Sequence, residues 1–220
     1  MKKLLLACAA LVLLTSCKPE LPSIAGYNMF FLPSNNYKVG QIIAIYTKPK
    51  KIDIIHNTKL EEGDFLPSKS ANFTSEETSK LTAHIEASVK DQVDAAFGLN
   101  ASRYISVRYL NTRVVDLVHT NAYSRIKNAI AADPDVQEYL TKLKYEKGVK
   151  LDVASSILTA DIEVTINDGV EAGVDISAPK LLDKLDIGFG PDVTRANTIV
   201  GKQLAIGYHA DPNLVNFLVR

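Results

Sequence analysis

The clearest periodicity in the chain lies between residues 75 and 97, where Leu81, Ile85, Val89, Val93 and then Ala96 and Phe97 recur at three- and four-residue spacing. That spacing puts them on one face of an α-helix. Thr74 or Ser75 supplies an N-cap, Glu76 and Glu77 suit the positive end of the helix dipole, and Gly98 stops the helix. The remaining face mixes both charge signs, which fits a helix packed on a sheet better than one lying in a lipid interface.

Elsewhere the pattern predicts strands. Gln41 to Tyr46 is apolar and branched, Lys48-Pro49-Lys50 turns, and Ile52, Ile54 and Ile55 resume, so Val39 to Ile55 reads as a hairpin. Arg103 to Tyr109 alternates, and Asn111-Thr112 is expected to turn the chain back into Val114 to Val118. Asn121 to Ala132 and Asp135 to Glu146 read as two helices broken at Asp133-Pro134. From Val149 to Ile166 the apolar parity changes: Val149, Leu151 and Val153 share one face, Ile162, Val164 and Ile166 the other. A bulge or bend near Ser155 to Ala160 is therefore required.

Three stretches are less regular. Asn57 to Thr74 shows no period and reads as a binding loop or a floppy one. The tripeptide Leu-Pro-Ser begins at Leu21, Leu32 and Leu66, where proline fixes φ and serine bonds locally as an extended piece ends. Ser177 to Leu185 suits a short helix, and Gly188-Phe189-Gly190-Pro191 punctuates the chain before a closing hairpin. Val200 to Ile206 echoes Val39 to Ile45, and a proline follows each, so the two hairpins are candidates for a duplication and for adjacency. These elements predict an α+β fold, a mainly antiparallel sheet with the long helix packed on it, formed by residues 27–220 as a single domain.

The N-terminus carries a different signal. Lys2 and Lys3 precede an apolar run from Leu4 to Leu14, the length of a secretory h-region and too short to span a bilayer. The run ends in Leu14-Thr15-Ser16-Cys17, which resembles the lipobox of bacterial lipoproteins. The resemblance implies that residues 1–16 are a signal peptide and that Cys17 becomes the first mature residue. It further implies a diacylglycerol on the Cys17 thiol and an acyl chain such as palmitate on its amine. Two or three chains hold a protein to a membrane almost permanently, since each buried CH2 contributes about 0.8 kcal/mol. Lys18 follows the cysteine in place of the aspartate that often retains such proteins at the inner membrane. In a cell with two membranes the resemblance therefore implies the outer one, and the expected location is there, facing the periplasm. Residues 17–26, with Pro19 and Pro22, form a short extended tether.

Composition narrows the function. Cys8 leaves with the signal and Cys17 is acylated, so the mature chain has no thiol for a disulfide. Loss of Lys2 and Lys3 from 25 basic and 25 acidic residues leaves a net charge of about −2, which argues against a nucleic-acid partner. No cofactor loop or metal-ligand spacing is present: Gly188-Phe189-Gly190 lacks the third glycine of a dinucleotide loop, and none of His56, His84, His119 and His209 belongs to a His-Glu-x-x-His pair.

The candidate binding residues are Lys48, Lys50 and Lys51 at the first hairpin tip, suited to anionic lipid or an acidic glycan, and Glu61, Glu62 and Asp64 on the 57–74 loop. No catalytic signature stands in the sequence. The leading expectation is a lipid-anchored, non-enzymatic envelope protein with an envelope protein or glycan as partner. The alternative is an envelope hydrolase whose site is gathered from distant residues such as His119, Asp152 and Ser156.

Overall fold

The computed structural model describes residues 20–98, 100–167, 176–185 and 197–214. The strands are β1 (Ser23–Ile24), β2 (Tyr27–Ser34), β3 (Gln41–Thr47), β4 (Lys50–Asn57), β5 (Lys69–Ser70), β6 (Ile105–Asp116), β7 (Val149–Ile166) and β8 (Thr198–Ala210). The helices are α1 (Ser75–Phe97), α2 (His119–Ala132), α3 (Pro134–Tyr145) and α4 (Ala178–Lys184). The sheet order is β1-β2-β8-β7-β3-β4, with β6 also pairing β7 and β5 pairing β6, and every described strand pairing is antiparallel. The fold is α+β, with a mainly antiparallel sheet and a long helix packed on it.

Helix α1 forms where its apolar spacing places it. Thr74 accepts from the Glu77 backbone N–H while the Glu77 carboxylate accepts from the Thr74 N–H, a reciprocal cap. Leu81, Ile85, Val89 and Val93 are buried against the sheet. The break between α2 and α3 is a cap as well, because the Asp133 carboxylate accepts from the N–H groups of Asp135 and Val136.

Strand β7 organises the sheet. Its first five residues pair with Ile42 to Tyr46 of β3, and the rest pairs with both β6 and β8. The parity change expected from the sequence is present, with register shifts against β8 between Ala154 and Ser156, Leu158 and Thr159, and Ala160 and Ile162. As a result Leu151, Val153 and Ile157 enter a core shared with β3, α2 and α3, whereas Leu158, Ala160, Ile162, Val164 and Ile166 enter a core beneath α1 and α4. Each of these Leu, Ile and Val side chains contributes about 1.5–3 kcal/mol by leaving water.

Two expectations need correction. Arg103 to Val118 is not a strand pair: β6 runs unbroken, and Asn111, at φ 50°, absorbs a bulge where a turn was expected. Asn has a short polar side chain that tolerates this left-handed conformation, so a turn signal and a bulge signal look alike. The 57–74 segment is not floppy. It holds a 3-10 turn at Glu62–Asp64, a bridge from Phe65 to Leu117, and β5 laid on β6. Its order comes from pairing with a strand distant in sequence, which leaves no local period.

The first arm expected of the closing hairpin is present as β8, which continues through Ala210 with β2 and β7 on either side. The apolar residues that resume after Pro212 lie mostly outside the described residues, and β3 and β8 both pair with β7. The Gly188-Phe189-Gly190-Pro191 punctuation lies outside the described residues.

Candidate functional site

A groove of about 1050 Å3 opens between the 35–41 turn, the exit of β4 and the 57–60 segment. Val39, Ile54, Phe65, Val115 and Ile157 line its more buried part, and Asn35, Asn36, Lys38, Asn57 and Lys59 stand exposed at its rim. Apolar floor with amides and cations at the edge is the usual composition of a ligand-binding cleft, and the volume is at the upper end of the common range.

Gln41 fixes this rim. Its side chain, 3% exposed, donates from Nε2 to the Asn36 carbonyl at 2.9 Å and to Asn57 Oδ1 at 2.6 Å, while its Oε1 accepts from the Lys38 backbone N–H at 2.8 Å. One buried amide thus ties the turn before β3 to the end of β4. Gly40, at φ +83°, lets the chain pass against Leu60, whose Cδ1 would lie 2.6 Å from any Cβ placed there. Thr58, also in the wall, has a buried hydroxyl with no hydrogen-bond partner among the described residues.

Behind the groove an aromatic stack leads inward. Tyr37 lies on Phe30 with ring centroids 3.9 Å apart and 8° between planes, and Phe30 lies on Tyr208 at 5.2 Å. The Tyr208 hydroxyl donates to Asp152 Oδ2 at 2.6 Å, and Lys150 Nζ reaches the same oxygen at 2.9 Å. Burial, then the Asp152 charge, pushes the Tyr208 phenol far above its ordinary value, so it stays a donor. A second groove, about 560 Å3, continues past Tyr37 and Ile54 along Ile52, Asp53 and Ile55 to Tyr139.

The predicted acidic residues divide. Glu61 receives two hydrogen bonds from the Arg125 guanidinium, at 2.8 and 2.6 Å. Asp64 is 2% exposed, lies 3.0 Å from Arg125 Nε, and accepts from the Glu61 backbone N–H at 2.8 Å. Bonding first to Glu61, with Asp64 close by, raises the Arg125 pKa further. Glu61 and Asp64 therefore latch the loop to α2, and Glu62 alone of the three is exposed with no such clamp shown.

Lys48, Lys50 and Lys51 do stand exposed at the β3–β4 tip; Lys51 pairs with Asp53 at 2.7 Å and lies over the Tyr46 ring at 4.5 Å. Cys17 and the side chain of His119 lie outside the described residues.

Asp152 and Ser156 are both buried on β7, four residues apart, which at strand spacing is roughly 13 Å. The structure does not bring them within hydrogen-bond reach. Instead the pairing register sets Ser156 between Asp116 of β6 and His209 of β8. Asp116 is ion-paired with Lys69 of β5 at 2.7 Å, and His209 Nδ1 donates to the Gly26 carbonyl at 3.2 Å. The Ser156 hydroxyl is buried, which denies a substrate access to it. Sequence reasoning missed this row because only strand register creates it. The Gln41 network was hidden for a similar reason, since its Asn57 partner lies at the far end of a hairpin.

Among the described residues no group of three or more His, Cys, Asp or Glu is placed to hold a metal ion, and no helix is long and apolar enough to cross a membrane.

No family model matches the chain, and no curated protein matches it. Among solved structures, a bacterial gasdermin from Bradyrhizobium tropiciagri aligns over 83% of this chain and 80% of its own, with 15% identity and a TM-score of 0.34.

Proposed function

We propose that this chain is a lipid-anchored cell-envelope protein that acts as a non-enzymatic binding module, held at the outer membrane through acylated Cys17 and facing the periplasm. The observation that carries the binding role is the 1050 Å3 groove, with its apolar floor and its rim fixed by Gln41. A rim preset by a buried amide loses little freedom when a partner docks, which favours affinity. The matching ligand presents hydrogen-bonding groups at its edge and an apolar face beneath, as a glycan or a segment of an envelope protein does. The anchor reading is supported by the N-terminal sequence pattern.

The test is a photo-crosslinking amino acid placed at Lys59 in the groove and at Leu110 far from it, in cells producing the full chain. A discrete adduct from position 59 and none from position 110 supports the reading. No adduct from 59, or the same adducts from both, overturns it.

A further inference from the structure

The β3–β4 tip is close to two other features at the same end of the molecule. Tyr46 pairs with Val149, so the chain leaving α3 enters β7 beside the hairpin tip. The tip and the α3 exit are thus neighbours, and the Tyr46 phenol, raised first by burial and then by Tyr139, also feels Glu146. On the opposite side, Glu20, Leu21 and Pro22 line one cleft together with Tyr46 and Lys50. The tether therefore reaches the folded unit at this same end. Cys17 precedes Glu20 by three residues, a span of at most about 11 Å.

The charge at this end is mostly uncompensated. Lys51 pairs with Asp53 and Lys142 with Glu138, but among the described residues Lys48, Lys50, Lys144 and Lys147 have no carboxylate partner within ion-pair distance. Glu146, Glu20 and Asp91, the last two in the cleft that Lys50 also lines, are the acids near them. Tyr145, at the end of α3, is 76% exposed, with Lys144 5.6 Å from its ring centroid. An exposed tyrosine beside an ammonium group suits the boundary between lipid headgroups and acyl chains.

We infer that the β3–β4 tip and the α3 exit, with Lys48, Lys50, Lys147 and Tyr145, form a surface that rests on anionic lipid beside the acylated Cys17. The inference builds on the anchor reading above and adds an orientation to it. Strand β4 runs from this surface at Lys50 to the groove at Asn57, roughly 23 Å. The groove is then held clear of the headgroups, open to partners in the periplasm.

The chain has no tryptophan, so a Tyr145→Trp variant of the full acylated protein carries a single reporter. Leu110→Trp is its control: Leu110 is 52% exposed and pairs with Asp161, about 40 Å along β7 from Val149. Each variant is reconstituted into phosphatidylcholine vesicles with or without phosphatidylglycerol, the acyl chains brominated to quench nearby indoles.

The expected result is strong quenching for Tyr145→Trp on the anionic vesicles, little for Leu110→Trp, and a severalfold loss when Lys48, Lys50 and Lys147 are changed to Glu. A single lysine near an anionic surface corresponds to about a fivefold change in partitioning. Equal quenching of the two variants, or quenching indifferent to phosphatidylglycerol and to the lysines, overturns the proposal. Intact mass keeps the two ideas apart. A chain without acyl mass removes the anchor and this surface together, whereas an acylated chain with an unquenched reporter removes this surface alone.

Discussion

Arg125 Nε sits 3.0 Å from Asp64 Oδ2, and this contact joins a half-exposed guanidinium on α2 to a carboxylate with 2% exposure in the loop before β5. Removing the arginine strands a buried charge, which costs more than the pair contributes when intact. Because Arg125 is 43% exposed, water relieves part of that cost. Arg125→Ala is expected to lower the midpoint of urea unfolding. Hydrogen exchange should rise first at residues 61 to 66, and Arg125→Lys should rescue only partly, because a point charge cannot serve Glu61 and Asp64 at once.

Asp116 gives the stability a pH dependence. Burial by itself would raise its carboxyl pKa, but the Lys69 ammonium at 2.7 Å, with Ser156 and His209 adding to it, outweighs this and holds it below the ordinary 3.8. A depressed folded-state value means that the contribution is fully present above pH 3.8 and is lost as the pH falls through the folded value. Unfolding free energy measured between pH 6 and pH 2 should therefore fall less steeply for Asp116→Asn than for the natural chain. Parallel slopes would show that Asp116 does not report on this ion pair.

Gly40→Ala tests the groove wall. The substitution forces a side chain onto φ +83° and drives Leu60 Cδ1 away from a 2.6 Å approach. The expected cost is about 1–2 kcal/mol. The local consequence should be larger than the global one: crosslinking from position 59 should decline more than the melting temperature suggests.

The alternation of β7 predicts unequal neighbours. Ile162 is fully buried, so Ile162→Ala should cost about 2–5 kcal/mol. Glu163 points to the opposite face and meets Arg108 at 3.0 Å near the surface, so Glu163→Ala should cost about 0.5 kcal/mol or less. Thermal unfolding of the two variants side by side checks the register.

The elements legible in the sequence were those whose stabilising contacts are periodic. Leu81, Ile85, Val89 and Val93 announced α1, and the parity of Val153 against Ile162 announced the bulged β7. What stayed hidden depends on partners far along the chain. Nothing local shows that Lys69 lies against Asp116, that Asp64 is neutralised by Arg125, or that the segment after Val200 is flanked on both sides. At the candidate site the exposed lysines were visible as a charged turn. The groove was not, because Gln41, Asn57 and Phe65 converge only when the hairpin closes and the following loop lies along β6.

Strand β2, near the beginning of the chain, forms its ladder with β8, near the end, at Asn28 to Tyr208 and Met29 to Gly207. Such a contact cannot form until almost the whole polypeptide is present, and closing so large a loop is slow. Under the proposed anchoring the chain is exported N-terminus first, and the sheet is then completed only after β8 has emerged. On that proposal export moves an open polypeptide, and acquisition of native shape coincides with arrival.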